Sequence, residues 1–353
     1  MKKSGNGALL EAVLAAGVLL SPLCGRGAGQ GSGQSAPAPA AAGWTMKASE
    51  LENANDPWVV ERNGRYYYCL SRGRAGRAGV AVAELKDMPR VTARGAKVVW
   101  TAPESGPYSK ELWAPELHYL RGRWYIYVAA DDGNNHNHRM IVLRAKTDDP
   151  TGPFEFAGFV KDTTDKWAID GTVLEAPDGE LYFVWSGWEG DTNVAQNIYI
   201  AHMSSPVAID GPRVLLSKPE HPWEKRDSGG GLPTINEGPA ALVRGKTVHI
   251  VYSASGSWAD NYCLGLLTCR NGRFLDPKSW TKSGEPVFSR APGANGPGHC
   301  SFFRWGGRDW IAYHANRETG KGWGGRSGRW QPFRWRGDVP DFGRPAPVVE
   351  DKP

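Results

Sequence analysis

The chain has 353 residues, of which 22% are charged, and its formal net charge at pH 7 is +5. Residues 1–28 hold three of the 42 basic and one of the 37 acidic residues, so the remainder carries a net charge of +3. This balance is too small to indicate a polyanionic partner, and we expect no binding to nucleic acid. Residues 44–353, about 310 residues, are long enough for one large domain with a buried core.

Residues 1–28 have the pattern of a secretory signal peptide. Lys2 and Lys3 precede an apolar stretch from Ala8 to Leu23, which Glu11 interrupts. This order of charged and apolar residues is typical of export signals. The stretch is too short and too interrupted for a membrane anchor, so we expect no membrane association. The sequence therefore predicts a secreted protein, extracellular or periplasmic, with a lipid-anchored form as the weaker alternative.

Residues 29–43 are rich in Gly, Ser, Ala and Pro. Such a segment has nothing to bury, so it predicts a disordered linker. The remainder, residues 44–353, is predicted to be one catalytic domain. Four cysteines follow the signal segment, namely Cys69, Cys263, Cys269 and Cys300. In an exported protein an even number permits disulfides, and both disulfide-bonded and buried free thiols are compatible with the sequence.

Within the predicted domain, a turn glycine recurs five times and a β-rich aromatic run follows each one. The glycines are Gly64, Gly122, Gly179, Gly245 and Gly307. The runs are Tyr66–Tyr68, Trp124–Tyr127, Leu181–Trp185, Val248–Tyr252 and Trp310–His314. Each run resembles the second strand of a hairpin, because aromatic and β-branched residues suit a half-buried sheet surface. Repeats near sixty residues have room for four strands, so the sequence predicts an all-β, five-bladed β-propeller.

Polar side chains occupy one phase of this repeat, eight or nine residues before the turn glycine. They are Asp56, Asp170, Glu237 and His299, with Ala114 at the same place in the second repeat. Equivalent phase in a radially repeated fold means equivalent position. We therefore expect three carboxylates and a histidine to converge at one end of a central channel.

Five segments around these residues resemble the successive signatures of glycoside hydrolase family 43, in order over residues 50–348. They are Asn55-Asp56-Pro57-Trp58-Val59, Trp113-Ala114-Pro115-Glu116-Leu117-His118-Tyr119, Ala168-Ile169-Asp170-Gly171-Thr172, Asn236-Glu237-Gly238-Pro239-Ala240 and Gly296-Pro297-Gly298-His299-Cys300-Ser301-Phe302. Within that family the chain is most similar to exo-acting α-L-arabinofuranosidases. The resemblance also implies a five-bladed propeller, in agreement with the repeat count.

The resemblance implies roles for the three carboxylates. Asp56 is the expected general base, Glu237 the expected general acid, and Asp170 the third carboxylate, which orients and tunes the acid. Inverting hydrolysis needs one acid and one base about 6.5–9.5 Å apart on opposite faces of the sugar. A nearby Asp170 would disfavour ionisation of Glu237 and keep the acid protonated near neutral pH.

Further site residues are expected around these carboxylates. Trp58 and Trp113 adjoin the predicted channel positions and are candidates for packing on a sugar face. Arg326 lies in a segment resembling one from which the family's last blade contributes a substrate-binding arginine. The glycine-rich loop before it, residues 320–325, departs from the family pattern. The Asp131–His138 stretch predicts a polar loop between strands, because its histidines lack the spacing of a metal site.

His299 is the candidate metal residue. Many relatives implied by the resemblance hold a cation, usually calcium, beside a histidine of this Gly-His-x-Ser segment. Imidazole is a poor ligand for a hard cation, so we expect a water-rich structural site with His299 as nearly its only protein ligand. The alternative is a purely structural histidine. No organic cofactor is expected.

These observations predict an inverting α-L-arabinofuranosidase that releases terminal units from arabinan or arabinoxylan side chains. The nearest alternative is a β-xylosidase or another furanosidase of the same fold, because three carboxylates do not distinguish pentose ring forms. A non-catalytic carbohydrate-binding propeller is the alternative from another class. A lectin has no need of a buried general acid, so the acidic trio favours an enzyme.

Overall fold

The structure is a computed structural model that describes residues 46–47 and 54–349. The predicted signal peptide (1–28) and linker (29–43) lie outside these residues and stay predictions. In the described part, strands dominate and all helices are short 3-10 turns: Asn135–Asn137, Pro222–Lys225, Pro277–Ser279 and Gly322–Gly325. None of these helices has the length and hydropathy of a membrane span.

The strands are as follows, in chain order: β1 (Met46–Lys47), β2 (Trp58–Arg62), β3 (Arg65–Ser71), β4 (Gly79–Leu85), β5 (Lys97–Thr101), β6 (Lys110–Leu120), β7 (Arg123–Asp131), β8 (Arg139–Ala145), β9 (Phe154–Phe159), β10 (Ala168–Glu175), β11 (Leu181–Gly187), β12 (Ala195–Ser205), β13 (Ala208–Ile209), β14 (Val214–Ser217), β15 (Thr234–Arg244), β16 (Thr247–Ala254), β17 (Cys263–Cys269), β18 (Trp280–Lys282), β19 (Asn295–Trp305), β20 (Arg308–Asn316), β21 (Arg326–Arg336), β22 (Val339–Asp341) and β23 (Val348–Val349).

The strands pair into five antiparallel meanders of four strands each. Meander 1 is β2–β5, meander 2 is β6–β9 and meander 3 is β10–β12 with β14. Meander 4 is β15–β18 and meander 5 is β19–β22. The short β13 also pairs with β12, and a two-residue parallel contact between β12 and β15 joins meanders 3 and 4. The prediction that each aromatic run forms a second hairpin strand is confirmed, because the runs lie in β3, β7, β11, β16 and β20.

The first strand of each meander contacts the first strand of the next. The contacts run from β2 to β6, β10, β15 and β19, and β19 then contacts β2. The apolar core follows the same order, since each of its five clusters fills the space between two adjacent meanders. Between meanders 5 and 1, for example, Tyr68 packs with Phe303 and Trp310. The described residues therefore form an all-β domain whose meanders pack in cyclic order.

The four cysteines of the described chain are free and buried. Of the two states that the sequence permits, the structure therefore has free thiols. A bridge between Cys69 of meander 1 and Cys300 of meander 5 is not formed. Hydrogen bonds join these meanders instead: the Ser301 hydroxyl donates to the Pro57 carbonyl at 2.8 Å and accepts from the Val59 N–H at 3.0 Å.

Candidate active site

A bulge interrupts the first strand of four meanders, and in meander 1 the equivalent residue lies just before the strand; this feature places the candidate residues. In four meanders the register between first and second strands shifts at this point. The equivalent residue in all five has a left-handed φ of 44–54°: Asp56, Ala114, Asp170, Gly238 and His299. Bulges of this kind redirect side chains, and non-glycine residues with such φ values are uncommon and strained. Three of these positions carry titratable side chains despite that cost.

The predicted phase is wrong by one residue at Glu237. The bulge residue of meander 4 is Gly238, so Glu237 precedes the bulge, as Trp113 does in meander 2. The cause lies in the hairpin turn. Gly245 is the first residue of the turn between Arg244 and Thr247, whereas Gly64 and Gly122 are the second residues of theirs. In meander 4, the residue eight positions before the turn glycine is therefore Glu237, one residue before the bulge.

Asp56 lies in a cluster of cationic and imidazole groups from meander 5. Its Oδ1 is 3.1 Å from His299 Nδ1, 3.3 Å from His314 Nδ1 and 3.7 Å from Arg326 Nη1. Burial alone would raise the pKa of this carboxyl, but His299 and His314 together hold the pKa well below its usual value. Its side chain keeps 21% exposure. Asp56 is thus an ionised carboxylate that solvent can reach.

His314 was not singled out from the sequence. Its Nδ1 lies 3.2 Å from the backbone nitrogen of Asp56 and 3.3 Å from the Asp56 carboxylate. Burial lowers the pKa of His314 to about 3, and Arg326 adds to this shift. The only signal in the sequence was a polar residue at the end of a buried aromatic strand. His314 therefore holds the Asp56 backbone and carries no charge.

Glu237 is buried in surroundings opposite in character to those of Asp56. Its Oε1 accepts a hydrogen bond of 2.8 Å from the Tyr262 hydroxyl. Burial and the negative charge of Asp170 raise the pKa of Glu237 to about 7. The sequence likewise did not indicate Tyr262 as a site residue. Its ring lies against Gly298, where a Cβ would come within 2.1 Å of the ring, and stacks on His314 at 5.9 Å.

Asp170 is bonded to the backbone that carries Glu237. Its Oδ2 accepts the Gly238 N–H at 3.0 Å, one residue after Glu237. Burial raises the pKa of Asp170 against the opposing effect of His299, and the charge of Asp56 raises it further. This position is the one expected of a residue that orients Glu237. Its role in a reaction stays a prediction.

His299 lies between the carboxyl groups. Its backbone N–H donates to Ser253 Oγ at 2.8 Å, and its ring lies 3.1 Å from where a Cβ on Gly238 would be. Burial opposes protonation, but Asp56 and Asp170 raise the pKa of His299 to about 10. The Asp56 contact through Nδ1 is also the arrangement that orients a metal-bound histidine. The described residues contain no cluster of three or more metal-ligating side chains, so the residues present fit at most a water-rich ion held by His299.

Arg326 joins the site to two flanking loops. Its Nη1 donates to Asn55 Oδ1 at 3.3 Å and its Nη2 donates to the Ser257 carbonyl at 2.8 Å. The structure thus brings Arg326 together with Asp56, Asp170, Glu237 and His299. Only 8% of the Arg326 side chain is exposed, so its charge acts mainly on the groups inside the site.

The two predicted tryptophans differ in their surroundings. Trp113 is 36% exposed, stacks on His138 at 4.0 Å and donates to Glu111 Oε2 at 3.2 Å. Trp58 is half-buried, and its indole N–H donates to the Leu117 carbonyl of meander 2 at 2.8 Å. Trp58 therefore packs between meanders, while Trp113 presents a ring to solvent. Contact of either residue with a sugar stays a prediction.

The Asp131–His138 stretch forms the end of β7, a polar loop and a 3-10 turn at Asn135–Asn137. Within it, Asp131 and His138 form a fully buried pair at 3.2 Å. His138 also contacts the Glu111 carbonyl through Nε2 at 3.1 Å. These contacts place His138 beneath the Trp113 ring. The stretch is thus a structural support for the rim of the site.

A buried ionic network lies behind Glu237 and is centred on Glu224. Its Oε1 accepts from Lys282 Nζ at 2.7 Å, Tyr252 Oη at 2.9 Å and Asn236 Nδ2 at 3.1 Å. Its Oε2 accepts the backbone N–H groups of residues 220 and 221, each at 2.8 Å. Asn236 directly precedes Glu237. The network therefore fixes the segment from which the Glu237 side chain extends.

The fold and site together define an all-β protein with a buried carboxyl acid–base site. In it, a proton-retaining carboxyl (Glu237) lies in the first strand of meander 4, and an ionised carboxylate (Asp56) lies just before the first strand of meander 1. The model of glycosyl hydrolases family 43 matches residues 51–340, and the chain belongs to this family.

Relatives with assigned names include arabinofuranosidases. The chain is 32% identical over 315 residues to "Alpha-L-arabinofuranosidase 43" of Humicola insolens, a match covering 83% of this chain but only 62% of that protein. It is 31% identical over 270 residues to the "Extracellular exo-alpha-(1->5)-L-arabinofuranosidase" of Streptomyces chartreusis, covering 74% and 80%. The crystal structure of an α-L-arabinofuranosidase from Lactobacillus brevis superposes with a TM-score of 0.77 at 31% identity, covering 86% and 98%.

Proposed function

We propose that the protein is a secreted, inverting exo-α-L-arabinofuranosidase with a five-bladed β-propeller fold. The observation that carries the proposal is the opposite protonation of two carboxyl groups in one site. Glu237 has a raised pKa and Asp56 a lowered one. A general acid and a general base need these states at the same pH. The similarity to named arabinofuranosidases supports the sugar, and the cyclic packing of five meanders supports the propeller.

In the proposed reaction Glu237 donates its proton to the glycosidic oxygen as the bond from that oxygen to the anomeric carbon breaks. Asp56 takes a proton from a water molecule, whose oxygen attacks the same carbon from the opposite face. The products are a free sugar of inverted configuration and the shortened chain. Asp170 holds the backbone at Gly238 and keeps Glu237 protonated. A calcium ion beside His299 remains part of the proposal, and no step depends on it.

Hydrolysis assays on aryl pentosides, arabinan and arabinoxylan test the proposal. Proton NMR at early times reports the configuration of the first-formed sugar. We expect hydrolysis of the α-L-arabinofuranoside, release of monosaccharide from the first time point, and a first-formed sugar of inverted configuration. Faster hydrolysis of the β-xyloside would assign the enzyme to the alternative sugar. A ladder of intermediate oligosaccharides would contradict exo action, and retention would contradict Asp56 as base.

Substitution of the acid and the base separates an enzyme from a sugar-binding protein. Glu237→Gln and Asp56→Asn should each lower kcat on a natural oligosaccharide by roughly 10²–10⁴-fold. Glu237→Gln should retain more activity on aryl substrates whose leaving group needs no proton. Near-normal turnover of either variant would contradict Glu237 as the acid or Asp56 as the base. If the unsubstituted protein bound the sugar without any turnover, the non-catalytic alternative would be favoured.

A further inference from the structure

Trp323 is a large aromatic side chain that the fold holds out of the core. It is 61% exposed, the highest exposure of any tryptophan in the described chain. Its indole N–H donates to Ser257 Oγ at 3.3 Å, so the ring has a defined orientation. Single exposed apolar residues are ordinary on protein surfaces. The surroundings of Trp323 distinguish it from those.

The loop that carries Trp323 is attached to its neighbours at several points. The Gly320 N–H donates to Asp260 Oδ1 at 3.0 Å, and Asn316 Nδ2 donates to the Gly322 carbonyl at 2.8 Å. At Gly325 a Cβ would come within 2.6 Å of the Lys321 Cβ and 3.0 Å of Asn316 Oδ1, so the tight turn requires glycine there. These contacts on both sides of Trp323 fix the loop while leaving the ring in solvent.

Trp323 is linked to the acid–base site through Ser257 and Arg326. Ser257, which accepts its indole N–H, also accepts a hydrogen bond from Arg326 Nη2 through its carbonyl at 2.8 Å. Arg326 Nη1 in turn lies 3.7 Å from Asp56 Oδ1. The loop also ends where β21 begins, at Arg326. Trp323 therefore lies at the rim of the same site.

We propose that Trp323 is a sugar-stacking subsite for the part of the substrate that remains outside the catalytic pocket. This inference rests on the proposed function and adds a binding residue for the sugar chain. The C–H groups on one face of a sugar ring form an apolar surface that packs on an indole, while the hydroxyls on the opposite face of the sugar remain hydrated. A ring fixed before binding loses little conformational freedom when the sugar arrives.

The test compares the unsubstituted protein with Trp323→Ala and Trp323→Tyr on two kinds of substrate. On long arabino-oligosaccharides, Trp323→Ala should raise KM about tenfold, equivalent to about 1.4 kcal/mol of binding, with kcat unchanged. On an aryl arabinofuranoside, which has no chain to stack, both constants should stay unchanged. Trp323→Tyr should restore most of the lost affinity, since an aromatic ring remains.

Leu275→Ala is the matched control. Leu275 is 41% exposed but lies in the loop after β17, at the end of meander 4 opposite Glu237. Its truncation should leave KM and kcat unchanged on both substrates. Equal constants for Trp323→Ala and the unsubstituted protein on long oligosaccharides would overturn the subsite while leaving the proposed function standing. If no pentoside is hydrolysed, the proposed function fails. Affinity electrophoresis in a gel containing arabinan then tests the subsite. Equal retardation of Trp323→Ala and the unsubstituted protein would overturn it.

Discussion

Asp56 is a partly buried carboxyl group and Glu237 a buried one, and their surroundings shift their pKa values in opposite directions. Burial raises the pKa of each. Around Asp56 the imidazoles of His299 and His314 outweigh burial, whereas beside Glu237 the charge of Asp170 adds to it. The difference thus arises from the neighbours that each strand provides. A sequence reports the two carboxylates but not this difference between them.

Glu237 gives a prediction for the pH dependence of kcat/KM. The charged or titratable groups facing it are Asp170, Tyr262, His299 and Arg326. A general acid works while protonated, so activity should fall as pH rises through about 7. Asp170→Asn removes the neighbouring negative charge, so the pKa of Glu237 should fall and the alkaline limb should move down by roughly one pH unit.

A pH–rate profile of both proteins on one arabino-oligosaccharide, whose leaving oxygen needs a proton from the acid, measures this shift. Glu155→Gln is a suitable control, since Glu155 pairs with Arg144 at the surface, away from the site. An alkaline limb at the same pH in Asp170→Asn would show that Asp170 does not set the proton affinity of Glu237.

The residues of the site were predictable to different degrees. Asp56, Asp170, Glu237, His299 and Arg326 carried motif or phase signals, and the structure brings them together. His314 lies in β20, the second strand of meander 5, and Tyr262 lies in the loop just before β17. Both residues are outside the repeated phase. Their importance comes from contacts between different meanders, which sequence spacing does not encode.

At the scale of the strands, the bulges explain both the success and the error of the predicted phase. A repeated bulge turns equivalent residues of different meanders toward the same place. Where the turn glycine is the first rather than the second residue of the hairpin turn, the count shifts by one, as at Gly245 before β16. The strand repeat could be read from turn glycines and aromatic residues. The bulge register could not, because it depends on how the two strands pair.

The Glu224 network predicts that a distant residue supports the acid. Glu224→Gln removes the negative charge opposite Lys282, which lies 2.7 Å away and is largely buried. Leaving a buried charge without its partner should lower the free energy of unfolding by roughly 3 kcal/mol. Since Asn236 also bonds to Glu224, the position of Glu237 should change and kcat should fall more than KM changes.

Denaturant unfolding and steady-state kinetics measure both effects. Glu220→Gln is the matched control, because the exposed Glu220 side chain pairs with Lys218 at the surface, at 3.7 Å. Exposed pairs of this kind contribute about 0–1 kcal/mol, so this variant should remain close to the unsubstituted protein. Equal behaviour of the two variants would refute the supporting role of Glu224.

At the scale of the whole domain, the contact between meanders 5 and 1 depends on Ser301. Its hydroxyl is fully buried and bonds both the Pro57 carbonyl and the Val59 N–H. Ser301→Ala leaves both backbone groups without that partner, and each such loss costs about 1–3 kcal/mol. We therefore expect a reduction of roughly 2–6 kcal/mol in the free energy of unfolding.

Thermal and denaturant unfolding of Ser301→Ala checks this expectation. Ser205→Ala serves as the control, since Ser205 Oγ accepts only the nearby Val207 N–H at 3.4 Å. If the two variants unfold alike, the hydroxyl of Ser301 does not hold the meanders together.

The contact between first and last meanders also has a consequence for synthesis of the chain. Asp56 is near the beginning of the domain, whereas His299, His314 and Arg326, which surround its carboxylate, all belong to meander 5. A ribosome synthesises meander 5 after meanders 1–4. Until then the growing polypeptide contains an ordinary aspartate at position 56, without the neighbours that lower its pKa. The Asp56 carboxylate therefore acquires the surroundings that lower its pKa only after meander 5 has been synthesised and has joined meander 1.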